Sequence, residues 1–409
     1  MTLDDIQRRD ATDPLAGFRS EFTLPEGVIY LDGNSLGALP RATAARLADT
    51  VTREWGQDLI RSWNTADWIG APQRVGGKIA QLVGARTDEV VVADSTSVNL
   101  FKLLAAGLKA RPGRTVILTE PGNFPTDLYV AQGVQALLPE VTVRTAPRET
   151  LLEAIDADVA VVMLTHVHYK SGARFDMAAV TAAAHARGAL VLWDLSHSVG
   201  AVEIDLNGAD ADLAVGCGYK YLNGGPGAPA FLFAARALQA DLASPLTGWM
   251  GHAAPFAFGD DYAPAPGLDR FLCGTPPILG VAALEVGVEI ALRADMAQVA
   301  EKSRQLSALF IDRVEDRCAG LGLTLASPRA PEQRGSHIAF THEAAYPVMQ
   351  ALIARGVIGD FRAPDILRFG FTPLYLRHAD VWNAVEILRE VLVREAWREP
   401  AYQVRAAVT

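Results

Sequence analysis

The feature that most constrains the fold is a series of seven short runs rich in β-branched residues between residues 89 and 234. They are VVVADS, TVILTE, VTVRTA, VAVVMLTHV, ALVLWDLS, ADLAVGCGYK and APAFLFA. Stretches such as SVNLFKLLAAGLKA and DMAAVTAAAHARG lie between them and place apolar residues at helical spacing. Strands that are apolar throughout and alternate with helices are typical of parallel sheets covered on both faces. The sequence therefore predicts an α/β domain built on a mainly parallel, seven-stranded sheet.

A second, smaller unit follows this domain. After Thr275 a long helical tract, PPILGVAALEVGVEIALRADMAQVAEKSRQLSALFIDRVEDR, leads into the patterns SHIAFTH, AAYPVMQALIARG, DILRFGFTP and ADVWNAVEILREVLV. These read as strand, helix, strand and helix, which predicts a small α+β domain at the C-terminus. We expect a mainly helical N-terminal segment and arm over residues 1–85, the large domain over 86–290 and the small domain over 291–409.

Charge and hydropathy exclude two classes of partner. The net charge is −10 with acidic and basic residues interspersed, so we expect no basic face for nucleic acid. No apolar run reaches the ~18 residues of a membrane span, and MTLDDIQRRDATDPLAGF lacks the apolar core of a signal peptide. The three cysteines are widely spaced and form no CxxC pair, which argues against disulfides and a structural zinc site. We therefore expect a cytoplasmic protein.

Polar and aromatic residues follow the first two predicted strands. Thr96 and Ser97 fall where a helix begins, so two hydroxyls and free backbone N–H groups form an anion site suited to phosphate. An ordinary Ser/Thr helix cap is the alternative. The next strand ends in TEPGNFPTD, which places Phe124 and Asp127 at the same edge of the sheet. The Phe124 ring either stacks on a planar ligand or belongs to the core.

A carboxylate follows a later strand. Asp194 ends the apolar part of LVLWDLSHSVG, where its burial is costly unless it meets a positive partner such as a protonated heterocyclic nitrogen. Capping of the following turn is the alternative for Asp194. A hydrogen-bonded structural role is the alternative for His197, three residues further on.

A lysine ends the strand after that. Lys220 lies directly before NGGPG, whose glycines let the backbone pass close to a ligand. Lys170 in HVHYKSG also lies at a strand end and is the competitor. The remaining lysines lie in helical patterns and are expected to be solvated: Lys78, Lys102, Lys109 and Lys302.

Together, the phosphate site, the aromatic ring, the buried carboxylate and the lysine predict a site for pyridoxal 5'-phosphate. In such a site the lysine forms a Schiff base and an acidic residue holds the proton of the pyridine nitrogen. Two other motifs are set aside. GAPQRVGGK resembles a P-loop but has Pro72 in place of the first glycine and no preceding strand. His166 and His168 in THVHY have no nearby Cys or acidic ligand, so we expect no metal site.

Six motifs, in order along most of the chain, are similar to those of a known family. They are YLDGNSLG (30–37), NFPTD (123–127), WDLSHSVG (193–200), YKYLNGGPG (219–227), GWMGH (248–252) and RFLCGTPPIL (270–279). They resemble the kynureninases, which belong to the class V aminotransferase group of fold-type I pyridoxal phosphate enzymes. DLSH with a later lysine is typical of the whole group, whereas YLDGNSLG and the pair GWMGH and GTPPIL are specific to kynureninases.

This resemblance implies cofactor contacts. Lys220 is then the Schiff-base lysine, Asp194 the partner of the pyridine nitrogen, and Phe124 the ring that stacks on the cofactor. In the family, Trp249 and Thr275 reach the phosphate across a dimer interface, which implies a homodimer with shared active sites. The ring oxygen or the phosphate would be held by Thr96, Ser97, Asp127, Thr165, His197 and Tyr219.

The resemblance implies a substrate site as well. Arg368 matches the arginine that binds the substrate carboxylate, a bidentate task suited to guanidinium; without the resemblance, a surface arginine on a strand is the expectation. Gly274 and Trp63 resemble the bacterial form, which prefers kynurenine over its 3-hydroxy derivative. The aryl pocket would be lined by Asn34, Ser35, Trp63, His252 and Gly274.

The implied reaction is hydrolysis of L-kynurenine to anthranilate and L-alanine. It belongs to tryptophan degradation by the kynurenine route, with a link to NAD biosynthesis. Lys220 would remove the α-proton, and Tyr219 is the candidate proton donor. Alternatives on the same fold are a cysteine desulfurase or selenocysteine lyase, a class V aminotransferase, and a non-catalytic ligand-binding relative.

Overall fold

The computed structural model describes residues 2–405. Its α-helices in chain order are α1 (Leu3–Ala11), α2 (Arg41–Asp49), α3 (Ser62–Thr65), α4 (Ala71–Leu82), α5 (Thr96–Lys109), α6 (Pro125–Leu137), α7 (Met177–His185), α8 (Ile278–Arg293), α9 (Met296–Arg317), α10 (Ala345–Ile353) and α11 (His378–Val393). A π-helical segment, Thr50–Asp58, continues α2. Within the described residues, no helix is both long and apolar enough to cross a membrane.

The strands belong to two main sheets and two short pairings. In chain order they are β1 (Phe22–Thr23), β2 (Ile29–Tyr30), β3 (Leu39–Pro40), β4 (Val90–Val92), β5 (Val116–Thr119), β6 (Thr142–Thr145), β7 (Val159–Thr165), β8 (Leu190–Asp194), β9 (Leu213–Gly216), β10 (Phe231–Ala234), β11 (Thr324–Leu325), β12 (His337–Thr341), β13 (Val357–Ile358), β14 (Asp360–Arg362) and β15 (Ile366–Gly370).

The large sheet has seven strands in the order β4-β10-β9-β8-β7-β5-β6. Only β10 runs antiparallel to its neighbours, and every apolar segment predicted from the sequence forms one of these strands. The prediction of a mainly parallel seven-stranded sheet is confirmed. Because β5, β7, β8 and β9 are parallel, their carboxyl ends meet at one edge, where ligands of such sheets collect.

The small sheet, β11-β12-β15-β14, is antiparallel and lies with α9, α10 and α11. The predicted strand, helix, strand and helix over residues 337–393 are confirmed, and β14 places Asp360 directly opposite Arg368 on β15. The sequence patterns missed β11, β13 and β14, which are only two or three residues long. Such strands are too short for an alternating pattern to emerge.

The N-terminal segment contributes to both cores. Ile6, Leu15 and Phe22 pack with residues of the small domain, and β2 pairs in parallel with β13. Helix α4 instead packs against β4 and α8 in the core below the large sheet. The boundaries at residues 85 and 290 stay a prediction.

The helical tract predicted after Thr275 forms two helices, α8 and α9, and the side chain of Asp295 accepts a hydrogen bond from the Ala297 N–H at 2.9 Å and caps α9. One expectation about helices is wrong. Lys102 and Lys302 are buried rather than solvated. Each buried ammonium is compensated by an ion pair and a backbone carbonyl. Lys102 pairs with Asp94 and donates to the Phe271 carbonyl, and Lys302 pairs with Asp13 and donates to the Pro373 carbonyl.

Candidate active site

A cavity of about 140 Å³ lies at the carboxyl edge of the large sheet. It opens between the ends of β7, β8 and β9 and the beginnings of α5 and α6. The structure therefore brings together the polar residues that the sequence predicts at the carboxyl ends of the strands, although they are distant from one another in the sequence. The predicted residues that line it are Thr96, Ser97, Phe124, Asp127, Thr165, Asp194, His197, Tyr219 and Lys220.

The amine of Lys220 is buried in this cavity. Its Nζ donates to His197 Nε2 at 3.0 Å and lies 5.8 Å from the centre of the Phe124 ring and 5.7 Å from that of Tyr219. Burial, reinforced by the charge of Lys220, holds the pKa of His197 well below its usual value. The His197 ring is therefore neutral, with Nε2 as acceptor and the proton on Nδ1. Lys170, the competitor, is bonded to the Ala363 carbonyl and does not line the cavity.

Asp194 ends β8 at the floor of the cavity. Its Oδ1 accepts a hydrogen bond from the Ser196 N–H at 2.8 Å. Asp194 therefore also caps the following turn, as the alternative interpretation of the sequence states. Burial raises the pKa of Asp194, against the hydrogen bond from Ser196 and the nearby charge of Lys220. A positive ligand group next to this carboxylate would remove the cost of burying it.

Asp127 and Thr165 form the wall next to Asp194. Thr165 Oγ1 donates to Asp127 Oδ2 at 3.2 Å, while Asp127 Oδ1 has no hydrogen-bond partner among residues 2–405. Burial raises the pKa of Asp127 well above its usual value, and the neighbouring Asp194 carboxylate raises it further. Two buried carboxyl groups whose charges repel each other favour a protonated Asp127 or a bound hydrogen-bond donor.

The first turn of α5 supplies an anion site. Ser95, not Thr96 or Ser97, is the cap of this helix, because its side chain accepts from the Val98 N–H at 3.4 Å. The capping alternative for Thr96 and Ser97 is therefore wrong. Their hydroxyls line the cavity beside the free N–H groups at the positive end of a 14-residue helix. This combination suits a phosphate group.

Aromatic rings border the cavity. Phe124 is partly exposed and meets Tyr169 edge to face, with the ring centres 5.2 Å apart. Burial raises the pKa of Tyr219, so its hydroxyl keeps its proton at alkaline pH. The Gly37 N–H donates to the Tyr219 carbonyl at 2.8 Å, which ties the YLDGNSLG segment to the strand end that carries Lys220.

Arg368 lies next to this region on β15. It is 2% exposed, so the expectation of a surface arginine is wrong. Its Nη1 donates to the Tyr169 carbonyl at 2.5 Å and its Nη2 to Ser35 Oγ at 2.8 Å. With its amide oxygen toward the guanidinium, Asn34 accepts from Arg368 Nε at 3.1 Å. Asn34, Ser35 and Arg368 therefore form one cluster, separate from the Lys220 cavity and connected to it through Tyr169.

The structure does not bring the remaining predicted residues into the cavity of their own chain. Trp249 is 39% exposed and lines a second cavity with His252. Gly274 and Thr275 are exposed, and Trp63 packs edge to face on Trp68. Their roles stay predictions.

Sequence reasoning missed several residues that complete the site. Tyr169 joins Phe124 to Arg368, and the His337 ring lies tilted against that of His197, with the ring centres 5.1 Å apart. Asp360 binds Arg368 through both carboxylate oxygens. Only Tyr169 gave a sequence signal, as an aromatic residue at the end of the strand that carries Thr165. His337 and Asp360 come from the small domain, so no strand-end argument in the large domain could find them.

The donors and acceptors in the Lys220 cavity fit pyridoxal phosphate. Two buried polar atoms of cavity residues, His197 Nδ1 and Asp127 Oδ1, have no hydrogen-bond partner within the described part of the chain. A ligand with its own donors and acceptors would satisfy them. The helix start matches the phosphate, the buried Asp194 matches a protonated ring nitrogen, and Lys220 matches an aldehyde.

Comparisons with known proteins point to one family. The kynureninase C-terminal domain model matches residues 299–388, and the DegT/DnrJ/EryC1/StrS aminotransferase family model matches residues 71–211. The chain is 54% identical over 415 residues to a kynureninase of Burkholderia mallei and 52% identical over 414 residues to one of Pseudomonas fluorescens, with 100% of both chains covered in each case.

The chain belongs to the kynureninase family. Solved structures that share the fold of this family member include a cysteine desulfurase of Thermococcus onnurineus, with a TM-score of 0.77, 18% identity and coverage of 92% of this chain and 98% of that one. Another is a C-DES variant with glycine covalently linked to its PLP cofactor, with a TM-score of 0.79, 16% identity and coverage of 91% and 99%. These similarities confirm the fold-type I architecture.

The position of Asp194 makes a prediction about cofactor affinity. Asp194→Asn keeps the acceptor for the Ser196 N–H but removes the charge, so pyridoxal phosphate is expected to bind about 10- to 100-fold more weakly, as for the loss of one charge-assisted hydrogen bond. Absorbance titration of the apoprotein measures this. Asp210→Asn, the same change at an exposed site, is the control, and an unchanged affinity in Asp194→Asn contradicts the assignment.

Proposed function

We propose that this chain hydrolyses the β,γ C–C bond of L-kynurenine with one water, giving anthranilate and L-alanine, and that pyridoxal phosphate bound at Lys220 is its cofactor. The observation that carries the proposal is 54% identity to a kynureninase over the full length of both chains. The buried Lys220, His197 and Asp194 supply the groups that such a reaction requires.

When bound, the cofactor supplies an electron sink that makes the bonds at the α- and β-carbons of an amino-acid substrate labile. The Nζ atom of Lys220 removes and returns the α-proton, and the neutral His197 at 3.0 Å orients this amine. The buried carboxylate of Asp194 keeps a positive charge on the ring nitrogen favourable. Phe124 lines the cavity and would stack on the cofactor's ring.

Tyr219 is the proton donor in this proposal. Its ring borders the cavity with its centre 5.7 Å from Lys220 Nζ. Because burial raises the pKa of Tyr219, the hydroxyl is protonated at neutral pH and returns a proton to the three-carbon product after the C–C bond breaks.

The substrate carboxylate binds to Arg368. The guanidinium is connected to the cavity wall by Tyr169, whose carbonyl accepts from Arg368 and whose ring packs on Phe124. Asn34, Ser35, Trp63, His252 and Gly274 line the aryl pocket, and the lack of a side chain at Gly274 favours kynurenine over its 3-hydroxy derivative.

The active form is a homodimer with shared sites. Trp249 and Thr275, assigned to the phosphate, lie outside the Lys220 cavity of their own chain, so a second copy must bring them there. Large apolar side chains are exposed near Trp249, including Phe256 and Phe258, which supports an interface on this face. The proposed reaction is a step of tryptophan degradation by the kynurenine route, with a link to NAD biosynthesis. The three free cysteines support a cytoplasmic location.

The desulfurase alternative requires a reactive cysteine. Burial raises the pKa of Cys217, and burial raises the pKa of Cys318 to about 11. Thiols held protonated in this way are poor nucleophiles. Cys273 is partly exposed, with its Sγ 3.2 Å from the Leu246 carbonyl on a loop of the large domain. A class V aminotransferase would require a 2-oxo acid for turnover, which the first assay below tests.

We predict that the holoenzyme converts L-kynurenine to equal amounts of anthranilate and L-alanine without any 2-oxo acid. Lys220→Ala removes the amine that moves the α-proton and is expected to lower kcat by at least about 1,000-fold, the upper range for loss of an acid–base catalyst. Anthranilate fluorescence and amino-acid analysis measure both products. Lys170→Ala is the matched control and is expected to keep its activity. Turnover that depends on a 2-oxo acid, or release of sulfide from cysteine without anthranilate formation, contradicts the proposal.

Shared sites predict complementation between two inactive variants. Co-expression of Lys220→Ala with the double variant Trp249→Ala/Thr275→Ala is expected to restore about one quarter of the parent activity, because half of the dimers then hold one intact site of two. Co-expression of Lys220→Ala with Lys220→Gln, which both remove the same amine, is the control and is expected to restore none. No recovery in the first mixture contradicts a shared site.

A further inference from the structure

The guanidinium of Arg368 is held by a fixed carboxylate. Arg368 Nε donates to Asp360 Oδ1 at 2.8 Å, and Nη2 binds Oδ2 of the same group. Nη2 also donates to Ser35 Oγ and Nη1 to the Tyr169 carbonyl. These contacts use four of the five N–H bonds of a guanidinium. One Nη1 hydrogen remains for a ligand, whereas the contacts with Asp360 use Nε and Nη2.

Asp360 is rigidly placed. It is buried, lies directly opposite Arg368 in the β14–β15 register, and accepts from Ser35 Oγ and from Arg362 Nη2, each at 2.7 Å. Burial alone would raise the pKa of Asp360, but the charges of Arg368 and Arg362 hold this pKa below its usual value. Asp360 is therefore a permanent anion that fixes the orientation of the arginine.

The charge of the cluster suits one further anion. Arg362 and Arg368 are both cationic, and Asp360 cancels one of these charges. Burial, with repulsion from Asp360, raises the pKa of Asp32 to about 8, which favours the neutral form of Asp32 at neutral pH. The four side chains together carry one net positive charge, which matches a single carboxylate.

We propose that Asp360 is a positioning residue that holds Arg368 by its Nε–Nη2 edge so that the Nη1 side receives the carboxylate of the amino-acid substrate. This rests on the proposed function of Arg368. The two roles that a carboxylate could have here make opposite predictions. If Asp360 orients Arg368, its loss weakens carboxylate binding. If Asp360 competes with the substrate for Arg368, the loss of Asp360 strengthens carboxylate binding.

The test compares Asp360→Asn with the parent holoenzyme. The variant is expected to raise the KM for L-kynurenine about 10- to 100-fold, as for a lost charged hydrogen bond, while kcat changes by less than about threefold, because Asp360 touches no reacting atom. Asp365→Asn, the same change on the β14–β15 connection, is the control and is expected to leave both constants unchanged. An unchanged or lowered KM in Asp360→Asn overturns the proposal.

The binding of two simple amines, L-alanine and L-alaninamide, tests the role of Asp360 independently of which substrate the enzyme hydrolyses. L-alanine carries the carboxylate and L-alaninamide does not, and the absorbance of the bound cofactor reports the binding of each. Asp360→Asn is expected to weaken L-alanine binding by the same factor as it raises KM and to leave L-alaninamide binding unchanged. Equal weakening of both amines means a merely structural role and overturns the proposal.

This comparison also works if the parent gives no anthranilate. The proposed function then fails, and the difference between L-alanine and L-alaninamide still decides the role of Asp360. Asp360→Glu, which keeps the charge, provides a second variant should Asp360→Asn fail to fold or to hold its cofactor. It is expected to give an intermediate loss confined to L-alanine, and a loss for both amines again overturns the proposal.

Discussion

The burial of Lys220 beside His197 and two carboxyl groups is the constraint on which the rest of the site depends. Burying ionisable groups costs several kcal/mol each unless their charges are balanced, and here Asp127 and Asp194 have raised pKa values while that of His197 is lowered. The parallel strands give rigid support to such a cluster, because their carboxyl ends meet at one edge. A cofactor with a cationic ring nitrogen would compensate the buried charge of Asp194. Its phosphate would accept hydrogen bonds from the free N–H groups at the start of α5.

The two domains meet at this cluster through a few specific contacts. Tyr169 packs its ring on Phe124 and gives its carbonyl to Arg368, so the cofactor wall and the arginine are held in one unit. The YLDGNSLG segment also connects the cavity to the arginine. Its Gly37 N–H donates to the Tyr219 carbonyl, and its Ser35 hydroxyl is hydrogen-bonded to Arg368 and Asp360. This arrangement explains why a segment so early in the chain carries the motif most specific to the family.

Most of the large domain could be predicted from the sequence, because six of the seven strands are buried and apolar, and the seventh, β6, is still rich in β-branched residues. The residues at their ends followed from topology, as Lys220 and Asp194 show. Contacts between elements that are distant in the sequence could not be predicted in this way. Lys102 looked like a solvated helical lysine, since nothing in its own helix indicates that Asp94 and the Phe271 carbonyl would cover it. Asp360 was missed for the same reason, because its partner on β15 is defined only by strand pairing.

The most direct test of the central claim is the protonation state of the cofactor's ring nitrogen in the holoenzyme. A ¹⁵N NMR spectrum of enzyme reconstituted with pyridoxal phosphate labelled at that nitrogen measures it. The charge balance described for Asp194 predicts the shift of a protonated pyridine nitrogen at neutral and at mildly alkaline pH. The shift of an unprotonated nitrogen at neutral pH would contradict the account, because the buried carboxyl of Asp194 would then have no positive partner.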